Sequence, residues 1–450
     1  MNFRAPRGTN DLIAQPAWDH QRLCQQASEL FGRYAYAPIE TPSFEALEVF
    51  VRGIGQATDV VGKEMYFVAT QAALDKVRAG GELEPDERLA LRPEMTAGVA
   101  RAVLQRGVVV PDGPLVKLQY AGSMFRHERP QKGRLREFHQ IGVECLGSAE
   151  PSADAEVIIM LMHYFESLGL SAGQLRLLIN SMGDEHCRPA YREQVRDFIL
   201  AHTEGSEALC DDCVRRAQTN PLRAFDCKNP GCRSVMAAAP VITDALCEAC
   251  ADHYAQVKEL LTAAGIAFVE DPHLVRGLDY YTRTVFEVQT DDGLGSQNAI
   301  GGGGRYDRLL EEFGGKPTPG LGFAIGIERL QMTLQSRSLS APYPTVQVYV
   351  AAASSEARPA ALTLANQLRR AGLSAELDHQ GRSLKSQLKS ADRMGAGYLI
   401  ALGPDELAAG TVNLRDLRSD LSYELTLEGA ADQAAKLLQG HGMPAAARSL

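Results

Sequence analysis

The sequence predicts an α+β domain with a mostly antiparallel sheet, interrupted by a cysteine-rich inserted module and followed by a small α/β domain. Three observations carry this reading. Strand-like segments in the first 335 residues are separated by long excursions rather than by regular crossover helices, which argues for an antiparallel or mixed sheet. Seven of the nine cysteines fall between Cys187 and Cys250 and none follows, so the middle of the chain is compositionally distinct. Beyond QSRSLSAPYP, Gln335–Pro344, strands and helices alternate cleanly.

Taken in order, helical periodicity falls at Gln15–Tyr34, Met95–Gln105 and Ala153–Leu168. Strand patterns fall at Leu115–Phe125, Glu137–Leu146, Leu175–Ile179, Thr282–Gln289 and Leu321–Gly326. After the Ser/Pro stretch the pattern is strand Thr345–Val350, helix Glu356–Arg370, strand Leu373–Leu377, helix Ser383–Met394 and strand Tyr398–Leu402. There is no internal repeat.

With 450 residues, 45% hydrophobic and 23% charged, the chain is long enough for about two to four domains without disulfide staples. A formal net charge of −10 excludes a wholly basic nucleic-acid wrapper but leaves room for a local basic groove. The longest clean apolar run, Val157–Met162, is far short of the roughly 20 residues that cross a bilayer, so no membrane partner is expected. The opening MNFRAPRGTNDL carries no charged segment leading into an apolar core, and a cytoplasmic protein is expected.

Several chemistries fail on their motifs. Lys63 and Lys316 follow glycines but precede Glu64 and Pro317, so no P-loop is present. His127-Glu128 lacks a histidine at position 131, which removes the zinc-protease helix, and no Gly-x-Ser-x-Gly elbow occurs.

Three segments are chemically rich. Phe125–Glu144, FRHERPQKGRLREFHQIGVE, reads as two strands joined by a cationic loop. Arg126 and Glu128 share a face of the first strand, and Gln140, Gly142 and Glu144 share a face of the second. Arg126 has the fork geometry to clamp a phosphate, although the composition also fits a solvated hairpin. Leu274–Val288, LVRGLDYYTRTVFEV, sets Arg276 beside Gly277 and supplies Tyr280 and Tyr281; a turn with half-buried tyrosines fits it equally. Gly320–Leu330, GLGFAIGIERL, runs a glycine-spaced strand into a helix whose first turn carries Glu328 and Arg329.

In combination these segments resemble the class II aminoacyl-tRNA synthetases, and within them the histidyl-tRNA synthetase family. FRHERPQKGRLREFHQIGVE is similar to motif 2 and GLGFAIGIERL to motif 3. FGRYAYAPIETP, Phe31–Pro42, is similar to motif 1, with Pro42 as its proline. LVRGLDYYTRTVFEV and GGGGRYD are similar to the two histidine-specific blocks. The resemblance runs from Arg7 to about Leu427. It implies a catalytic domain in two parts, 1–184 and 269–335, an insertion domain at 185–268, a linker at 336–344 and an anticodon-binding domain at 345–450.

The resemblance also implies an activity: activation of histidine by ATP to histidyl-adenylate, then transfer to tRNA(His). Arg276 and Arg126 are the implied catalytic residues. Arg126 would hold the ATP α-phosphate, Glu128 the adenine amine and Arg329 the γ-phosphate, with Mg2+ accompanying the ATP. Histidine would meet Glu94, Thr96 and Gln140 at its amino group and Glu144 and Tyr281 at its imidazole, with Tyr280 and Arg126 also binding it and Arg276 reaching the α-phosphate near its carboxylate. Arg129, Gln131, Lys132, Arg134 and Arg136 would face the tRNA acceptor end, and a homodimer follows from motif 1. Arg382, Lys385, Lys389 and Arg393 fall at helical spacing, which fits either a phosphate-facing stripe or a solvated face.

The cysteines remain open at this stage. Cys210-x-x-Cys213 and Cys247-x-x-Cys250 flank Cys227 and Cys232, and two such knuckles fit a structural tetrathiolate zinc site. The 33 residues between the knuckles exceed ribbon spacing, and buried free thiols fit the same pattern, so no ligand set is assigned. The alternative to a synthetase is a non-catalytic, histidine-sensing regulatory subunit of ATP phosphoribosyltransferase; an intact motif 2 and a C-terminal domain argue against it.

Overall fold

Along Glu137–Leu146, Ile141, Val143 and Cys145 alternate with Gln140, Gly142 and Glu144, and this period of two gives the central sheet one apolar and one polar face. The computed structural model describes residues 3–55, 58–110, 113–205, 208–291 and 298–440. It divides into two units, Met1–Ala341 and Pro342–Leu450.

The first unit is built on an eight-stranded sheet. In chain order its strands are β1 (Ala37–Pro38), β2 (Val116–Phe125), β3 (Glu137–Leu146), β4 (Arg176–Ser181), β5 (Val269–Glu270), β6 (Thr282–Gln289), β7 (Ala299–Arg305) and β8 (Gly320–Gly326). Across the sheet they lie β1-β2-β3-β8-β7-β6-β4-β5. Every pairing is antiparallel except the short edge pairs β1 with β2 and β4 with β5. The expected mostly antiparallel sheet is therefore present.

Three strands of this sheet were not legible in the sequence, the two-residue edge strands β1 and β5 and the longer β7. Glycines at four successive positions carry little strand propensity, yet β7 sits in the middle of the sheet. Close approach explains it: a Cβ at Gly302 would lie 2.7 Å from the Phe286 carbonyl oxygen, and one at Gly303 would overlap that of Gly322. A second expectation needs correction. Strand β2 ends at Phe125, so Arg126 and Glu128 do not share a strand face. The Glu128 amide turns back to the Arg126 carbonyl at 2.7 Å, ahead of Pro130, and the two side chains leave from a turn.

The apolar face is covered by helices α1 (Gln15–Arg33), α3 (Pro151–Ser167), α7 (Glu248–Ala263) and α8 (Ile327–Ser336), while α2 (Thr96–Gln105) starts beside the polar face. Helix α1 presents Leu23, Ala27, Leu30 and Phe31 at i, i+4, i+7 and i+8, and Pro151 starts α3 where a missing N–H costs nothing. These residues pack with Ile158, Phe165, Val257, Leu261, Phe286 and Phe323, each contributing about 1.5–3 kcal/mol of burial.

Between β4 and β5 the chain forms α4 (Arg188–Ala201), α5 (Asp211–Thr219), a 3-10 turn at Pro221–Asp226, α6 (Pro230–Met236) and then α7. Val195, Ile199, Cys213, Ala217 and Met236 share a cluster with Met95, Val99 and Tyr280 near the polar face. Helix α7 instead lies on α3, where His253 Nε2 and Asp154 Oδ2 are 2.8 Å apart. Arg305, fully buried, donates from Nε to Asp154 Oδ1 at 2.8 Å and from Nη1 to Asp307 at 2.8 Å. Strand β7, α3 and α7 are thereby joined through one ion cluster.

The second unit has a five-stranded sheet of β9 (Val348–Ala352), β10 (Ala375–Leu377), β11 (Tyr398–Leu402), β12 (Thr411–Asp416) and β13 (Ser422–Thr426), ordered β10-β9-β11-β12-β13. The first three strands are parallel and the last two antiparallel to their neighbours. Helix α9 (Arg358–Arg370) supplies core residues, and α10 (Leu384–Arg393) is tied to β9 by Gln387, which exchanges 3.0 Å hydrogen bonds with the Ala352 backbone. Lys385, Lys389 and Arg393 are exposed along α10; Arg382 precedes the helix and pairs with Asp378.

Candidate active site

The polar face of the large sheet floors a cavity of about 730 Å³. Gly301, Gly302, Gly322 and Gly326 lie in that floor, so the ligand space begins at the backbone itself. Glu94, Thr96, Arg126, Glu128, Arg134, Gln140, Arg276, Tyr280, Tyr281 and Arg329 all line it. Of the residues expected at the histidine pocket, Glu144 alone lies just behind the wall.

Glu144 is only 1% exposed and is held by three hydroxyls. Thr96 Oγ1 donates to its Oε1 at 2.7 Å, Tyr120 OH donates at 3.1 Å, and Tyr306 OH donates to Oε2. Burial pushes its carboxyl up to about 8, against hydrogen bonds from Tyr306, Thr96 and Tyr120 that hold it down. Gly322 is required here, because a Cβ would collide with the Glu144 carboxylate. Tyr120 and Tyr306 line the cavity and were missed by sequence reasoning. Tyr306 lies inside the quoted GGGGRYD block, and the signal was its hydroxyl next to a strand of glycines.

Glu94 is also buried, and burial raises its carboxyl. Its two oxygens accept from the backbone amides of Thr96 and Ala97 at 2.8 Å each, satisfying orphan donors at the start of α2. Thr96 thus ties one buried acid to the other. Gln140 presents a buried side-chain oxygen with no hydrogen-bond partner among the described residues, aimed where a polar ligand would complete it. Tyr280 packs against Tyr281 at 4.7 Å and edge-on to Tyr306 at 5.6 Å, forming an aromatic side wall.

The cationic lining includes Arg126, Arg134, Arg276 and Arg329, together with Arg216, Arg223, Lys228 and Arg233. Arg126 donates from Nε to the Pro93 carbonyl at 2.9 Å and lies 5.4 Å from the centre of the Phe138 ring. Arg276 donates to Glu287 at 2.6 Å and stands 6.0 Å from the centre of the Tyr281 ring. Arg329, on the first turn of α8, donates to the carbonyls of Gly133 and Ala299 at 2.8 and 3.0 Å. Arg134 turns inward and pairs with Glu128 at 2.6 Å. The anchors on Arg126 and Arg276 hold these two guanidinium groups at the cavity wall, so that meeting an anion there costs little side-chain entropy.

The expected tRNA-facing loop splits into two groups. Arg129, Gln131 and Lys132 are exposed, whereas Arg134 faces the cavity. Arg136 is half-buried, with its Nε on the Glu128 carbonyl at 3.3 Å and its amide on the Gly8 carbonyl at 2.7 Å. Glu287 was a further omission; it orients Arg276 and accepts from Gln289 at 2.8 Å.

An antiparallel sheet with a glycine-rich floor, and arginines entering from a motif 2 loop and a motif 3 helix, is the catalytic fold of the class II aminoacyl-tRNA synthetases. The Histidyl-tRNA synthetase family model matches residues 8–330, and the Anticodon binding domain model matches 347–437. The histidine–tRNA ligase of Anaeromyxobacter dehalogenans is 46% identical over 419 residues, spanning 93% of this chain and 96% of that one. Apo histidyl-tRNA synthetase of S. aureus superposes with a TM-score of 0.78 at 33% identity, covering 96% and 100% of the two chains. A Bacillus halodurans protein described as an ATP phosphoribosyltransferase regulatory subunit/histidyl-tRNA synthetase has a TM-score of 0.62 at 22% identity, over 90% and 99%, which is a likeness of fold. This chain belongs to the histidyl-tRNA synthetase family.

Proposed function

We propose that this chain is a histidine–tRNA ligase that forms histidyl-adenylate from histidine and ATP, then transfers histidine to tRNA(His). The observation that carries this reading is a buried acid, Glu144, behind a cavity whose other side holds Arg126, Arg276 and Arg329. An imidazole ring needs an acceptor for its N–H and a hydroxyl donor for its other nitrogen, and Glu144 with Tyr281 offers both. A ring lacking either nitrogen leaves a buried polar group unpaired, which supports discrimination on the order of 10⁴. Glu94, Thr96 and Gln140 receive the amino group.

The arginines then position magnesium ATP as substrate. Arg126 and Arg276 converge on the α-phosphate and the attacking histidine carboxylate, Arg329 holds the outer phosphate, and Glu128 takes the adenine amine. As the carboxylate attacks phosphorus, the bond to pyrophosphate breaks and charge spreads over the phosphate oxygens. Fixed guanidinium groups stabilise that charge, so alignment and electrostatics supply the rate without a protein nucleophile. Arg129, Gln131 and Lys132 offer donors to the acceptor-end backbone, with Arg134 and Arg136 shaping the loop beneath them. The second unit takes the anticodon stem. Phe44 and Phe67, 50% and 68% exposed close to the motif 1 segment, support a homodimer.

Histidine-dependent exchange of labelled pyrophosphate into ATP, without tRNA, tests the first step. Exchange that requires histidine is expected. Its absence, with histidine still bound in calorimetry, would replace this reading by that of a histidine sensor.

A further inference from the structure

Seven thiols of the inserted region do not spread through a core; they gather in two groups. Cys210, Cys213, Cys227 and Cys232 have all four sulfurs within 4.8 Å of one another, and so have the ligand atoms of Asp184, Cys187, Cys247 and Cys250. The chain folds each C-x-x-C pair onto a different partner set, so the two knuckles do not share a site. From these juxtapositions we propose that the protein binds two structural zinc ions per chain, one in each group.

The distances fit the metal. A Zn–S bond of about 2.3 Å in a tetrahedron sets sulfur–sulfur edges of about 3.8 Å. Cys210 Sγ lies 3.7 Å from Cys213 Sγ and 3.8 Å from Cys227 Sγ. With a Zn–O bond of about 2.1 Å the oxygen–sulfur edge is about 3.6 Å. Asp184 Oδ1 lies 3.5 Å from Cys187 Sγ and 3.8 Å from Cys247 Sγ. None of the nine cysteines is in a disulfide.

Local structure prepares both sites. Cys210 and Cys247 immediately precede α5 and α7, while Cys213 and Cys250 lie in the first turns, so each knuckle is a helix start. The Cys210 amide donates to Cys232 Sγ at 3.2 Å and the Asp184 amide to Cys187 Sγ at 3.3 Å, the contacts that favour thiolates. Arg283 stands 3.5 Å from Asp184 Oδ2 and offsets charge at the second site.

The first site also has a position that matters. Cys227 and Lys228 line the same cavity as Arg126 and Arg276, alongside Arg223, Phe225 and Asp226. A zinc ion there would tie α5, the Pro221–Asp226 turn and α6 together and hold that wall in place. With four protein ligands at each ion no coordination position is left for substrate, so the role is structural.

The test is a metal count on the full-length protein purified without chelator or affinity metal. Two zinc ions per chain are expected, released together when wild-type thiols are titrated with an organomercurial in the presence of a chromogenic chelator. The double variant Cys210→Ser/Cys213→Ser and the double variant Cys247→Ser/Cys250→Ser should each retain one. Cobalt(II) replacement should give the strong visible bands of tetrahedral thiolate coordination. No bound zinc and no uptake by the reduced wild type would overturn the proposal. So would one ion per chain, lost by either double variant, because that result means a single shared site.

Discussion

Arg276 Nη1 donates to Glu287 Oε2 at 2.6 Å, so the residue proposed to face the reacting carboxylate is aimed by a carboxylate on strand β6. Arg276 Nε, on the same guanidinium, is buried without a partner among the described residues. Arg276→Ala should lower pyrophosphate exchange by about 10²–10³, the cost of removing a preorganised donor. Glu287→Gln keeps the guanidinium charge but loosens its aim, and should cost about tenfold. Steady-state exchange on both variants checks the ranking; equal losses would mean that Glu287 does more than orient.

Glu144 and Tyr306 should govern histidine affinity. Glu144→Gln replaces an accepting carboxyl oxygen by an amide donor and should weaken histidine binding by about 10² in calorimetry, while Tyr306→Phe should cost about tenfold by removing one donor.

The Glu144 carboxyl also makes stability depend on pH. Its folded value, pushed up to about 8 from 4.5 by burial, means that the folded state keeps a proton that the unfolded state has already lost. The contribution is fully present below 4.5 and is lost as pH rises through about 8. Melting temperatures of wild type minus Glu144→Gln should therefore shrink steadily from pH 5 to pH 8. A difference that grows over that range would contradict the assignment.

His139 adds a second window. Its Nδ1 lies 2.8 Å from Glu328 Oε1, and that hydrogen bond raises the imidazole above its ordinary 6.5. The ion pair joins β3 to the first turn of α8, so it supports the two motifs that frame the cavity. Its stabilisation is present below pH 6.5 and is lost as pH rises through the raised value. His139→Gln should lower the melting temperature at pH 6 more than at pH 8.5.

Arg305 should prove structural although it stands in a histidine-specific block. Arg305→Met leaves Asp154 buried with only His253 facing it, and breaking such a pair costs about 3–5 kcal/mol. Urea unfolding would show the loss. Pyrophosphate exchange at saturating substrates, measured on the fraction still folded, should fall far less.

Much of this was legible in the sequence. Strands β3, β6 and β11 have the predicted bounds: β3 advertises its period of two in side-chain polarity, and β11 is a short continuous apolar run. The arginines were legible only through the resemblance of their segments as a set, since taken alone Arg126 also fits a solvated hairpin and the Arg276 segment a plain turn. Strand β7 was hidden since its reason for being a strand is the absence of side chains, and that shows only when Gly302 and Gly303 meet Phe286 and Gly322. Tyr120 was hidden because its hydroxyl reaches Glu144 from an adjacent strand, a pairing set by register. The grouping of cysteines was hidden too, since Cys187 and Asp184 lie 60 or more positions before Cys247 and only the fold brings them together.

The contact between His253 and Asp154 sets a limit on how the molecule could be shortened. A trimmed variant made by splicing out everything from Arg188 to Ala263 would discard α7 with the rest. Its Tyr254, Val257 and Leu261 would leave a bare stripe on α3, and its histidine would leave Asp154 facing water beside Arg305. No excision can include Glu248 or the residues after it without unroofing α3. From that residue on, what looks like an insert by sequence position is part of the floor plan of the domain it interrupts.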